Sequence, residues 1–178
     1  MDRVHATKNF NLENLIIRPV KKSDLSALEW DGAYQKYRRM YTNLYRNTKS
    51  GRTLMWLIEE PSAGIIGQAF VMLISSERNA ADGVQRAYVF AFRVKPNWRG
   101  RGIGTKLMHF VEDDLRQRGF SIVTLNVAKD NPDALRLYKR LGYKIIGSRS
   151  GIWSYKDDQG NLQHVHEPAW RMEKEIGN

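Results

Sequence analysis

An apolar run, AYVFAFRV (Ala87 to Val94), leads into KPNWRGRGIG and then into a segment in which Ile103, Leu107, Val111 and Leu115 step by four. Strand, glycine-rich turn and helix in that order constrain the fold more than any other stretch. An almost uninterrupted apolar strand belongs in a sheet covered on both faces. The step of four marks one buried helix face, which Gly119 ends, and Arg116 and Arg118 suit the negative end of the helix dipole. SIVTLNVA (Ser121 to Ala128) is the next strand, so a strand–helix–strand unit sits at the centre of the chain. Such a turn aims backbone N–H groups and a helix N-terminus at one point, which is the geometry of an anion site. Gly102 and Gly104 let the backbone approach a ligand closely and adopt positive φ. Hydrogen bonds to a charged group contribute about 1.5–3 kcal/mol each, and the dipole about 0.3–2 kcal/mol. Arg99 and Arg101 add planar forks suited to phosphate. The alternative is a tight turn whose glycines only pack helix on strand.

The flanking segments supply the rest of a sheet. LIIRPV (Leu15 to Val20) reads as a strand, and Ser23 or Asp24 as the cap of a helix through Glu29. Tyr34, Tyr37, Tyr41, Leu44 and Tyr45 recur at helical spacing between Ala33 and Arg46. TLMWLIEE (Thr53 to Glu60) and GIIGQAFVMLIS (Gly64 to Ser75) form a hairpin around Pro61 to Ala63, with Ser76 to Arg86 as a loop. Asn131 stands at a helix N-cap with Pro132 at the first helical position, and Ala134, Tyr138 and Leu141 share a face of that helix. YKIIG and IWSYKDD read as strands, DQGN as a turn, and LQHVH with WRMEKEI as a returning strand. The expected class is α/β (α+β in some schemes): a mixed, partly parallel central sheet flanked by helices, in one domain over residues 1–178.

Several function classes fall away on composition. A chain of 178 residues buries roughly 70% of its unfolded surface, so it needs no staples. With no cysteine there is no disulfide, catalytic thiol or Cys-type zinc site, which is compatible with a reducing cytosol. The first residues lack an apolar core of the signal-peptide kind, and Gly64 to Ile74 is too short to span a bilayer. A soluble, cytoplasmic protein without a membrane partner is expected. The formal net charge of +10 speaks of partners: nucleic acid, an acidic surface or a polyphosphate cofactor, or only solubility. The basic residues form no run of five or six, which argues against a nucleic-acid tail. His164 and His166 share a strand face, but with no third ligand in view no metal is expected.

Spacing narrows the anion. A P-loop needs G-x-x-x-x-G-K before Ser or Thr, and GTK at 104–106 has the threonine before the lysine. A dinucleotide turn needs G-x-G-x-x-G, whereas Gly100, Gly102 and Gly104 give G-x-G-x-G. Arg99-Gly100-Arg101-Gly102-Ile103-Gly104 does fit Q/R-x-x-G-x-G/A. Asn131, Ala134 and Tyr138 then fit N-x-x-A-x-x-x-Y, followed by Leu141-Gly142-Tyr143 and, at the last strand, Trp170-Arg171-Met172-Glu173. On these residues the chain resembles the GNAT superfamily of acetyl-CoA-dependent N-acetyltransferases. The motifs are specific from about Val84 to Tyr143, and the register is consistent from Leu15 onward.

The resemblance implies an enzyme that transfers acetyl from acetyl-CoA to a primary amine directly, in a ternary complex and without a metal. It assigns the coenzyme pyrophosphate to Arg99, Gly100, Arg101, Gly102, Ile103, Gly104 and Thr105. The pantetheine arm falls to the backbone of Phe92, Arg93 and Val94, with Asn131 and Ala134 beside it. Tyr138 becomes the group that meets the departing thiolate, although on the residues alone it also reads as a core aromatic. Many relatives carry a glutamate on the strand before the glycine turn, and YVFAFRV has none. Glu29 and Glu60 are the candidate replacements as general base. A missing base favours an acceptor of low basicity: at pH 7 an α-amine is neutral in about 10–20% of molecules, a lysine-like amine in about 0.04%. Tyr34, Tyr37, Tyr41, Trp153 and Tyr155 are candidates for the acceptor pocket. Two other classes stay open, a catalytically silent acyl-CoA-binding module and a ribosome- or RNA-associated protein. The oligomeric state is open too, a homodimer among the options.

Overall fold

The structure, a computed structural model, describes residues 10–177. Seven strands form one sheet: β1 (Ile16–Pro19), β2 (Thr53–Glu60), β3 (Gly64–Met72), β4 (Arg86–Val94), β5 (Ile122–Ala128), β6 (Lys144–Arg149) and β9 (Ala169–Glu175), where β7 (Ile152–Lys156) and β8 (Leu162–His166) form a separate two-stranded ribbon. The sheet order is β1-β2-β3-β4-β5-β9-β6. Only β4 and β5 pair in parallel, and the crossover that a parallel pair requires is the helix α2 (Ile103–Gln117). The other ladders are antiparallel. Among the described residues no helix is long and apolar enough to cross a membrane.

One face of the sheet is covered by α2 and α3 (Pro132–Arg140), the other by α1 (Arg38–Lys49). Leu107, Met108, Val111 and Leu115 of α2 are fully buried, and each such side chain contributes about 1.5–3 kcal/mol relative to exposure. A buried Glu112 on the same helix accepts from the Tyr143 hydroxyl (2.8 Å) and pairs with Lys174 (2.8 Å). That satisfies a carboxylate which would otherwise be costly in the core.

Three expectations from the sequence need correction. No α-helix runs to Glu29; two 3-10 turns, Lys22–Asp24 and Ala27–Glu29, stand there instead. The Asp24 carboxylate accepts from the Lys21 N–H (2.6 Å) and binds Arg18 of β1 (2.8 Å), tying the turn to the sheet edge. Trp30 and Asp31 then turn left-handed, at φ +47° and +56°, and end the segment. The tyrosine stripe is helical only from Arg38, because Gln35–Tyr37 is a 3-10 turn. LQHVH and WRMEKEI are separate strands: β8 pairs with β7, and after Pro168 the chain enters the main sheet as β9 between β5 and β6.

Candidate active site

The ladder between β4 and β5 runs from Arg86↔Ile122 to Val89↔Leu125 and stops there. On its other side β5 stays paired with β9 as far as Ala128↔Ala169. The half of β4 from Phe90 to Val94 therefore has no strand partner toward β5, and its backbone polar groups on that side face a gap between two parallel strands. The gap opens toward the glycine-rich loop. Arg99 Nε donates to the Val94 carbonyl (2.9 Å), fastening the loop to the end of β4.

Gly102 is the N-cap of α2, at φ +80°, a conformation that costs a residue with a Cβ about 1–2 kcal/mol. Lys106 N–H takes the Gly102 carbonyl (3.0 Å) as the first helical acceptor. The amides of Ile103, Gly104 and Thr105 precede that bond and point out of the helix end. A Cβ on Gly104 would just touch Leu137 and Phe92, at 3.4 Å each, so α2 lies close to α3 and β4 there. Arg101 lies over the rings of Phe10 (5.4 Å) and Trp98 (5.2 Å). Free amides, a helix end and two exposed guanidinium groups fit a pyrophosphate.

β4 carries a bulge at Ala91, at φ +48°, where its register with β3 shifts between Gln68 and Phe70. Gln68, fully buried, donates from Nε2 to the Ala91 carbonyl (3.1 Å). Since strand side chains alternate, one extra residue exchanges the two faces beyond it. Ala87 and Val89 face α2 and Phe90 faces α1; past the bulge Phe92 packs on the α2 side and Arg93 on the α1 side. Phe92 thereby meets Tyr138 (6.0 Å between rings), and Arg93 projects into a cleft.

That cleft, about 1150 Å³, lies against the α1 face of β4 and β5. Its walls are α1 with the preceding turn, the β7–β8 ribbon, and the start of β9. The ribbon is held onto α1 and the turn before it by Gln35 on Asp158 (3.0 Å) and Arg39 on the Asp158 carbonyl (3.3 Å). Tyr34, Tyr37, Tyr41, Trp153 and Tyr155 all line it, with Tyr37 5.0 Å from Tyr155 and 6.2 Å from Trp153 between ring centres. Arg93 donates to the Tyr41 hydroxyl (2.7 Å) and stacks over Tyr34 (4.0 Å). Six cationic side chains line the cleft, Lys36, Arg39, Arg93, Arg149, Lys156 and Arg171, against two carboxylates, Glu77 and Glu167. Burial pushes the phenols of Tyr37 and Tyr88 above their ordinary value, so both are neutral near pH 7 and poor bases.

The remaining residues singled out from the sequence divide between the site and its margins. Tyr138 is buried on α3, where desolvation raises its phenol well above the usual value. Asn131 caps α3, its Oδ1 accepting from the Ala134 N–H (3.1 Å). Glu29 is buried and held by a bidentate Arg38 contact (2.5 and 2.9 Å). Glu60 accepts from the Ser62 and Ala63 N–H groups (2.8 Å each) in the β2–β3 turn. Neither glutamate lines the cleft. His164 is exposed on β8 and shares a hydrogen bond with Ser154 (2.8 Å).

The profile of the acetyltransferase (GNAT) family matches residues 23–143, the span that holds the gap, the glycine loop and Tyr138. The chain is a member of the GNAT family. An uncharacterized N-acetyltransferase of Methanocaldococcus jannaschii is 29% identical over 148 residues, covering 78% of this chain and 65% of that protein. The chain thus spans under two thirds of that relative's length. The ribosomal-protein-S18-alanine N-acetyltransferase of Escherichia coli shares the fold with a TM-score of 0.67 at 19% identity, over 92% of this chain and 95% of that one. The spermidine N-acetyltransferase of Vibrio cholerae, solved with CoA and spermine, does so with a TM-score of 0.66 at 16% identity, over 92% and 96%.

In this GNAT chain the sequence reading missed a cluster at the inner end of the cleft: Tyr88, Asn126, Arg149, Arg171 and Glu77. Its one local signal was an arginine set between Trp170 and Met172 in the last strand. Alternation puts Met172 in the core and Arg171 on the cleft face.

Proposed function

We propose that the chain transfers the acetyl group of acetyl-CoA to a primary amine by direct attack in a ternary complex. What supports the reading most is the open flank of β4 beyond Val89. It joins the anion-binding loop to a cleft on the opposite face of the strand. The loop amides and Arg99 hold the pyrophosphate, and the backbone of Phe92, Arg93 and Val94 accompanies the pantetheine arm. Asn131 and Ala134 border that arm from the start of α3. The thioester then reaches the foot of the gap, with Tyr138 on one side and the cleft on the other.

The amine nitrogen attacks the thioester carbonyl carbon. The C–S bond breaks with its electron pair on sulfur, and the proton shed by nitrogen balances the one that sulfur finally takes. A phenol even at pKa ~10 protonates a thiolate of Cys-like pKa ~8.5 only uphill, by about 2 kcal/mol. Burial raises Tyr138 further, so Tyr138 acts as a hydrogen-bond donor that stabilises the leaving thiolate. No strong base is then required if the acceptor amine is weakly basic. The cationic cleft also repels polycations. Both properties favour an α-amine over a polyamine as acceptor. The protein is expected to act in the cytoplasm as a single domain.

The test is thiol release from acetyl-CoA across a panel of amines and peptides. Amine-dependent release with an N-acetylated product is the expected result. Tight coenzyme binding without turnover on any amine would favour a silent acyl-CoA-binding module. The engagement of Glu29 by Arg38 is the one observation on that side.

A further inference from the structure

The inner end of the cleft is built to take a carboxylate, and we infer that the acceptor is an amino acid whose free carboxylate binds Arg171 and Arg149. This rests on the transferase reading above and narrows its substrate.

Arg171 is only 2% exposed. Its Nε donates to Asn126 Oδ1 (2.6 Å) and its Nη2 to Glu77 Oε1 (3.1 Å), while Nη1 has no partner. Arg149, at the end of β6, reaches the same Glu77 oxygen (2.9 Å), and its Nε is also without a partner. Two guanidinium groups therefore share one carboxylate oxygen, and two N–H groups shielded from solvent go unanswered. A buried guanidinium fork is made for bidentate carboxylate, and one glutamate leaves this pair with one positive charge unbalanced. Glu77 itself is half exposed on the β3–β4 loop, so it marks where a carboxylate oxygen sits without filling the site.

Position ties this charge to the reaction. Asn126 is the first residue of β5 after its last pair with β4, and it lies opposite Arg171 in the β5–β9 ladder. The Arg171 guanidinium is also 5.5 Å from the Tyr88 ring of β4. The pair of arginines thus stands at the foot of the gap, where the acetyl group would end. An anion gripped there is close to the attacking nitrogen, as in an α-amino acid, and the aromatic wall of Tyr37, Trp153 and Tyr155 is left for the side chain. A long polycation finds like charge at this end.

The test compares each proteinogenic L-amino acid with its own carboxamide, in acetyl transfer and in thermal-shift binding without coenzyme. Basicity alone favours the carboxamides, whose amines are more often neutral at pH 7, so a preference for the acid form reports the arginines. At least one amino acid should exceed its carboxamide in kcat/KM by tenfold or more. Arg149→Gln should bring that ratio toward one, chiefly by lowering kcat/KM for the acid. Arg171→Lys should do the same if it folds, and Arg149, being half exposed, decides the matter if it does not. Carboxamides that match or beat every acid would overturn the inference even with transfer intact. So would an R149Q ratio equal to that of the wild type. Acid-selective thermal shifts lost in R149Q, but with no turnover, would uphold the anion site and refute the transferase reading instead.

Discussion

Tyr138 concentrates the proposed chemistry in one hydroxyl. Among the described residues that hydroxyl has no hydrogen-bond partner, while the ring packs on Phe92 and Tyr143. Tyr138→Phe therefore preserves the packing and removes one donor. A hydrogen bond to a charged group is worth about 1.5–3 kcal/mol, so kcat should fall about 10–150-fold while KM for acetyl-CoA changes little. The raised phenol adds a sign. Tyr138 stays protonated past pH 10, so a kcat–pH profile should show no alkaline limb from it below that value. An unchanged kcat in the variant would remove Tyr138 from the mechanism.

At the scale of elements, the site depends on how β4 is bent. The bulge at Ala91 is braced by Gln68 and by Gly67, where a Cβ would lie 2.8 Å from the Arg93 carbonyl and 3.0 Å from Ile58. Gly67→Ala must push β4 away. The expected cost is about 1–3 kcal/mol, read as a lower urea midpoint, together with a higher KM for acetyl-CoA. Wild-type values in both would contradict the role given to the bulge. Much of this region was legible in the sequence because its signals are local: the apolar strand, the step of four in α2, and the Asn131–Pro132 cap of α3. The bulge was not, since a one-residue change of parity leaves no mark in an all-apolar run such as YVFAF. Nor was the insertion of β9 between β5 and β6. Strand pairing over such distances is chosen by the whole sheet, and it alone brings Arg171 opposite Asn126. The helix expected through Glu29 failed for a related reason, because Asp24 serves Arg18 across the sheet edge as well as its own turn.

Across the whole molecule, charge and protonation set the limits of stability. Arg18 donates to Asp24 and holds its carboxyl below the usual value. The stability this contributes is present above the unfolded value near pH 3.9 and is lost as pH falls through the lower folded value. Burial, with Glu112 beside Tyr143, raises the phenols of Tyr138 and Tyr143. Their contribution is whole below the unfolded value near pH 10 and fades above it, because the unfolded chain ionises first. The urea midpoint should therefore be flat through neutral pH, fall in acid, and fall again above pH ~10. Tyr138→Phe should shallow the alkaline fall, and an equal fall in variant and wild type would contradict this origin.

In the proposed reaction coenzyme in the β4–β5 gap and amine in the cleft meet across a single strand, and the chain has no cysteine to carry an acyl intermediate. Initial rates measured while both acetyl-CoA and an accepted amine are varied test this most directly. Intersecting double-reciprocal lines, as for a ternary complex, are the predicted result. Parallel lines, with acetyl found on the protein before amine is added, would contradict it.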